Sequence, residues 1–119
     1  MALQKVGLGT VTRVALGTTA TILTVGSAKT CYIRSMLIHN IDTVNSSTVK
    51  IHIVPNSSSS VGTASSINQL AQLSIQPADT YFFELAYPIT LASDNDTIKV
   101  YNSSTTDAVN VLILGDKEA

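Results

Sequence analysis

Apolar residues in this chain recur at every second position. A sequence written that way lays its side chains alternately on the two faces of a strand. Val49, Ile51 and Ile53 alternate with Lys50 and His52, and Ile98 and Val100 alternate with Lys99 and Tyr101, giving two half-buried strands. Residues 31–39 carry Ile33 and Leu37 on one side and Tyr32, Arg34, Met36 and Ile38 on the other, so both faces of this run are expected to be partly covered. Residues 109–114 are almost continuously apolar, the pattern of a strand buried on both sides, closing at Gly115.

Turn formers punctuate these runs every dozen or so residues, at Gly26-Ser27, residues 42–47, Pro77-Ala78-Asp79, residues 93–96 and residues 102–107. The spacing predicts strands at 10–15, 20–25, 30–39, 48–54, 70–75, 80–85, a bent or divided element at 88–91 plus 97–102, and 109–114. The 14 Ser, 15 Thr and 11 each of Val and Ile suit a pleated surface. Roughly eight short strands without interposed helices predict an all-β fold, an antiparallel β-sandwich of which the jelly roll is one form.

Two segments break the rhythm. Residues 55–66 are small and polar, and read as an exposed loop ending in a helical turn over 67–71. Residues 1–9 carry Leu3, Val6 and Leu8 among glycines, and two readings are open. They form an arm that orders against a neighbouring subunit, or a frayed end or first strand of the sandwich. The division expected is 1–19 as arm and first strand and 20–119 as the sandwich domain.

With 119 residues the chain has room for one core, and 45% hydrophobic content is enough to form it. A net charge of -1, with seven Lys and Arg, lacks the basic face that a nucleic-acid partner requires. No run approaches the roughly 18 apolar residues of a membrane span, and the first residues lack the unbroken apolar stretch of a secretory signal. A soluble chain, with no membrane partner and not exported by the usual route, is expected. The sequons at Asn45, Asn56, Asn95 and Asn102 are read as chance in a Ser- and Thr-rich chain.

Few residues suggest chemistry. Cys31 and His39 are eight positions apart, about 26 Å along a strand, too far to act as a pair. A Cys31–His52 pairing across strands would still need an orienting group and an oxyanion site, and nothing marks either, so Cys31 is read as a buried, inert thiol. Asp94-Asn95-Asp96 lacks the flanking oxygens of a calcium loop and reads as a structural turn. Asp79 and Glu84 bracket a strand, and Asp116 and Glu118 lie in a charged tail facing water. Gly7-Leu8-Gly9 begins a dinucleotide fingerprint, but its third glycine position is Thr12. No catalytic residue, cofactor or metal is expected, and the chain is expected not to be an enzyme. Tyr81, Phe82, Phe83 and Tyr87 cluster along one expected strand, which either presents Tyr81, Phe82 and Tyr87 outward as an interface or is covered by a layer on each side. Arg34 on its apolar strand reads as a rim residue or the partner of a carboxylate across a subunit boundary.

The order of these signatures resembles that of small β-sandwich structural proteins of tailed bacteriophages. Leu23-Thr24-Val25, residues 29–35, Ile38-His39-Asn40 with Asp42, and residues 49–55 follow one another as in that group. Leu73-Ser74-Ile75, Asp79-Thr80, residues 88–91, Asp96-Thr97-Ile98 and residues 109–115 continue the order. The likeness covers roughly residues 20–118. It implies that residues 23–25 enter a long central strand, that Asn40-x-Asp42 ends it, and that 109–114 is the closing core strand. The family often has Gly where this chain has Asn95, an exchange that left-handed backbone tolerates, and the first 19 residues have no counterpart.

The resemblance implies a capsid cement or decoration subunit that stabilises the head shell by binding the major capsid protein lattice or other virion proteins. It would assemble as a homo-oligomer, a trimer, in the host cytoplasm and reside in the virion. Its expected interface residues are Leu3, Val6, Leu8, Arg34, Tyr81, Phe82 and Tyr87, with the 57–66 loop. Two alternatives remain open: a tail, baseplate or head-to-tail accessory protein, and, from another class, a carbohydrate-binding module, which the absence of Trp disfavours.

Overall fold

The computed structural model describes residues 3–7, 11–26, 29–58 and 60–118. Expectations falling on Leu8, Gly9, Ser27 and Ser59 lie outside these residues. Among the described residues are nine strands and no helix: β1 (Leu3–Gly7), β2 (Thr12–Val14), β3 (Thr19–Thr24), β4 (Cys31–Asn40), β5 (Ser47–Val54), β6 (Gln69–Ile75), β7 (Thr80–Leu91), β8 (Thr97–Asn102) and β9 (Val109–Glu118).

They form two antiparallel sheets. The first has the order β1-β9-β4-β7, with β2 also on β9, and the second β3-β8-β5-β6. β1 lies along residues 114–118 of β9 and β2 along 109–111, so the two occupy a single interrupted edge position. Counted that way there are eight strands, and the chain winds back and forth between the sheets in jelly-roll order. The all-β sandwich expected from alternation and turn spacing is the observed fold.

The core lies between the sheets. Ile33, Met36 and Ile38 of β4 and Val109, Val111 and Ile113 of β9 face Val49 and Ile51 of β5 and Ile98 and Val100 of β8. Strict alternation would put Ile33 and Met36 on opposite faces, yet both are buried. The register supplies the reason: Ile33 pairs with Gly115 and Ser35 with Leu114, leaving Arg34 as an extra residue. This bulge turns the strand by half a period, so odd positions face the core before Arg34 and Met36 and Ile38 face it afterwards.

Four other expectations are corrected. Residues 88–91 do not share an element with 97–102: they complete β7, which tolerates Pro88 because it is an edge strand. β9 does not close at Gly115 but runs to Glu118, and only one of its faces is fully buried, Leu112 and Leu114 being half-exposed on the other. Asp116, expected in a water-facing tail, is buried in that strand. Residues 67–71 hold no helical turn, since β6 starts at Gln69 and pairs with β5.

The turns at one end of the sandwich are closed by buried amides. Asn40 Nδ2 donates to the carbonyls of Asn45 (3.0 Å), Ile75 (3.2 Å) and Gln76 (3.3 Å), while its Oδ1 accepts from Asp42 N (3.1 Å). Asn102 accepts from Ser47 Oγ (2.6 Å) and Ser104 N (3.0 Å) and donates to the carbonyls of Val14 (3.2 Å) and Asp107 (3.0 Å). A buried polar group needs such partners. Asn40 and Asp42 do end β4, as expected.

Candidate functional site

The residues with reactive side chains are held apart. Cys31 is buried in the core at the start of β4, and His39 stands near its other end, its Nδ1 2.9 Å from Thr80 Oγ1. His52 was expected on the open face of β5. It is buried instead, because residues 62–68 fold back over the outer face of the second sheet. His52 Nδ1 lies 3.1 Å from the Ser65 carbonyl and 3.1 Å from Asn68 Oδ1, both acceptors, so this nitrogen carries the proton and donates. Lys99 Nζ, next to His52 across the sheet, donates to the Gly62 carbonyl at 2.7 Å. The loop otherwise exposes its apolar residues, Val61 and Ile67, to water.

Asp96 and Asp42 hold turns. Asp96 accepts from the Asn56 backbone (2.9 Å) and side chain (3.3 Å) and from Ser93 N (3.3 Å), beside Asn95 at a φ of +65°. Asp42 takes a hydrogen bond from Thr106 Oγ1 and others from the backbones of Asn45 (3.0 Å) and Val44 (2.8 Å). These donors, the Thr106 hydroxyl first, lower its pKa from 3.8 to about 2 against the opposing effect of burial. No group of three or more His, Cys, Asp or Glu among the described residues is placed to hold a metal ion.

Two surface depressions accompany this framework. A polar cleft of about 290 Å³ at the turn end is lined by the hydroxyls of Ser46, Thr48, Ser103, Ser104, Thr105 and Thr106 and by Asn45. An apolar hollow of about 300 Å³ lies on the outer face of the first sheet, formed by Val11, Leu37, His39, Thr80, Asn110, Val111 and Leu112. Its floor follows from register. Leu37 pairs with Phe82 on one side and Leu112 on the other, and Val11 directly precedes Thr12, the partner of Val111. A row of apolar side chains, Val11-Leu112-Leu37-Phe82, therefore crosses the whole sheet. Val11 is 58% and Phe82 57% exposed.

The expected interface residues fall on three parts of that sheet. Leu3 and Val6 stand in β1, opposite Glu118 and Gly115 of β9, and Leu8 lies outside the described residues. Tyr81, Phe82 and Tyr87 are all on β7, the sheet's other edge, and are 39%, 57% and 86% exposed. Arg34 finds its carboxylate within its own chain: Nε donates to Asp116 Oδ2 at 2.6 Å, with Asp116 4% and Arg34 57% exposed.

Sequence reading missed two parts of this surface. One is the apolar row, visible only once register places Val11, Leu112, Leu37 and Phe82 side by side. The other is the break in β7, where residues 85–88 stand opposite the single residue Arg34. Pro88 inside an apolar run was its one signal.

No family model matches the chain. No curated protein matches it. A solved structure of infectious bursal disease virus, Gx strain, is similar at a TM-score of 0.46 and 9% identity, over 98% of this chain and 32% of that one. A crystal structure of the T13 viral particle of the same virus gives a TM-score of 0.46 and 6% identity, over 98% of this chain and 34% of that one. This chain thus spans about a third of the length of either.

Proposed function

We propose that this chain is a non-enzymatic virion structural protein, a cement or decoration subunit that binds the major capsid protein lattice of a tailed-phage head. The observation that carries this reading is the apolar row across the outer face of the first sheet, with the exposed aromatics Tyr81, Phe82 and Tyr87 on the β7 edge of the same sheet. The row Val11-Leu112-Leu37-Phe82 lies on the outer face of that sheet, the exposed aromatics Tyr81 and Tyr87 stand elsewhere along its β7 edge, and the described histidines and Asp42, Asp96 and Asp116 are engaged in holding turns and strands. An apolar patch of this kind marks an interaction surface. The unpaired edge of β7 offers backbone groups to a neighbour as well. The sequence signatures shared with phage virion sandwiches, and the use of jelly rolls in capsids, point the same way. Many weak contacts repeated over one shell add through avidity.

The experiment is co-sedimentation of the purified protein with empty head shells, followed by imaging of the decorated particles. Many copies spread over the facets are expected. A few copies at one vertex would support a tail or connector protein instead, and no association with shells would overturn the proposal. The hydroxyl-lined cleft between Asn45 and Thr106 favours a second reading, a carbohydrate-binding module. Specific retention on a glycan array, abolished by Thr48→Val, would establish it.

A further inference from the structure

The hydroxyls of the cleft at the turn end are only half used by the chain itself. Ser103 Oγ donates to the Thr48 carbonyl (2.6 Å), Ser104 Oγ lies 3.2 Å from Thr106 Oγ1, and Thr106 in turn donates to Asp42. These bonds fix the wall of the cleft and tie the 42–47 turn to the 102–107 turn. The hydroxyls of Ser46, Thr48 and Thr105 line the same cleft and, among the described residues, meet no hydrogen-bond partner. Each can donate once and accept twice. Thr48 is half-buried, so its hydroxyl is partly withdrawn from water and gains from a partner on a ligand.

The cleft continues onto the outer face of the second sheet. Val49, Ile51 and Val100 face the core, so Thr48, Lys50 and Tyr101 share the opposite face, and Lys50 pairs with Tyr101 across the strands. The Lys50 ammonium lies 5.9 Å from the centre of the Tyr101 ring. A step of two residues puts this pair about 7 Å beyond Thr48, within reach of a ligand seated in the cleft.

This chemistry selects among ligands. An anion in the cleft would meet no positive charge there and would face the Asp42 carboxylate, which lies behind Thr106 and is ionised at neutral pH. A metal ion would find that single carboxylate already committed to hydrogen bonds from Thr106, Val44 and Asn45. An apolar ligand would leave the hydroxyls unpaired. A neutral sugar satisfies every group: its hydroxyls pair with those of Ser46, Thr48 and Thr105, the Lys50 ammonium donates to a further one, and the apolar face of its ring packs on Tyr101. The volume of about 290 Å³, close to the roughly 300 Å³ lower bound of small-molecule sites, limits the ligand to a short chain. We infer that the cleft and the Lys50–Tyr101 pair form one site for a short neutral saccharide, an inference that rests on the carbohydrate reading of the cleft. The site lies on the sheet opposite the apolar row, so it stays open when that row is covered.

The test begins with an array carrying neutral glucosides, galactosides and mannosides beside sialylated and sulfated chains. Retention on neutral glycans is expected. The retained glycan, in free form, is then titrated into isotope-labelled protein with backbone amide shifts as the readout, and the shifts should gather at residues 46–50, 101 and 103–106 while sparing β7. Thr48→Val and Thr105→Val each remove one hydroxyl at nearly constant shape, and Tyr101→Ala removes the ring. Each is expected to weaken binding roughly five- to tenfold, the worth of one hydrogen bond or ring contact, with circular dichroism as the check on folding and Lys50→Met as a second probe of the pair. Binding weakened by the threonine variants but indifferent to both Tyr101→Ala and Lys50→Met would overturn the joint site and leave the carbohydrate reading standing. Preference for sialylated or sulfated chains would overturn the neutral ligand, again leaving that reading intact. No retention on any glycan, or shifts that map elsewhere, would overturn the inference and the carbohydrate reading together, and shell co-sedimentation decides the cement reading separately.

Discussion

Asp42 shows how much one turn residue can hold in a chain with so few charges. Its carboxylate gathers Thr106 from the β8–β9 turn and the backbones of Val44 and Asn45 from its own turn, and so ties two neighbouring loops. Its pKa is lowered from 3.8 to about 2, so the folded state prefers the ionised form. The resulting stabilisation is complete above pH 3.8 and is lost as pH falls through about 2. Denaturant midpoints between pH 5 and pH 2 should fall more steeply for wild type than for Asp42→Asn, which starts lower and runs flatter in this window; parallel curves would refute the role. The turns themselves were legible, since Asn and Asp bond to nearby backbone. Asn95 adopts the left-handed backbone expected of it. The complete burial of Asn40 and Asn102 was not legible, because polar residues between strands read as exposed turn formers and only tertiary packing encloses them.

At the scale of elements, period-two alternation located most strands because each has one face in the core. It failed where backbone geometry overrides the period. Arg34 adds a residue to β4 and exchanges its faces, and the knuckle at 85–88 makes one strand look like two. His52 sits correctly on the outward side of β5, yet a loop from the same chain covers it, and no local pattern records that. The β4 bulge also carries an ion pair, since the extra residue presents its guanidinium to Asp116 on β9. Arg34→Ala should cost about 1–3 kcal/mol, less than the loss of a fully buried pair because Arg34 is itself half in water. Adding Asp116→Asn should recover part of this, and a double-mutant cycle in chemical denaturation measures it; strictly additive losses would mean that the pair is not coupled.

For the whole molecule, the number and spacing of strands announced a sandwich, but the strand order did not follow from them. Pairings such as β1 with β9 join residues more than a hundred positions apart, and no window of sequence contains both partners. That pairing bears on the first nine residues. An arm that orders only against a neighbour could be removed without loss to the isolated chain. β1, by contrast, supplies the partner for residues 114–118 of β9, and its removal leaves half of a central strand as an open edge. Deleting residues 1–9 should lower unfolding stability by about 2–4 kcal/mol, a few ladder hydrogen bonds at about 1 kcal/mol each, in urea titrations at concentrations where the chain is monomeric. The uncovered edge should also make the shortened protein aggregate through strand pairing. Unchanged stability with a reduced assembly mass would instead identify these residues as an intersubunit arm, and the sandwich would then close without them.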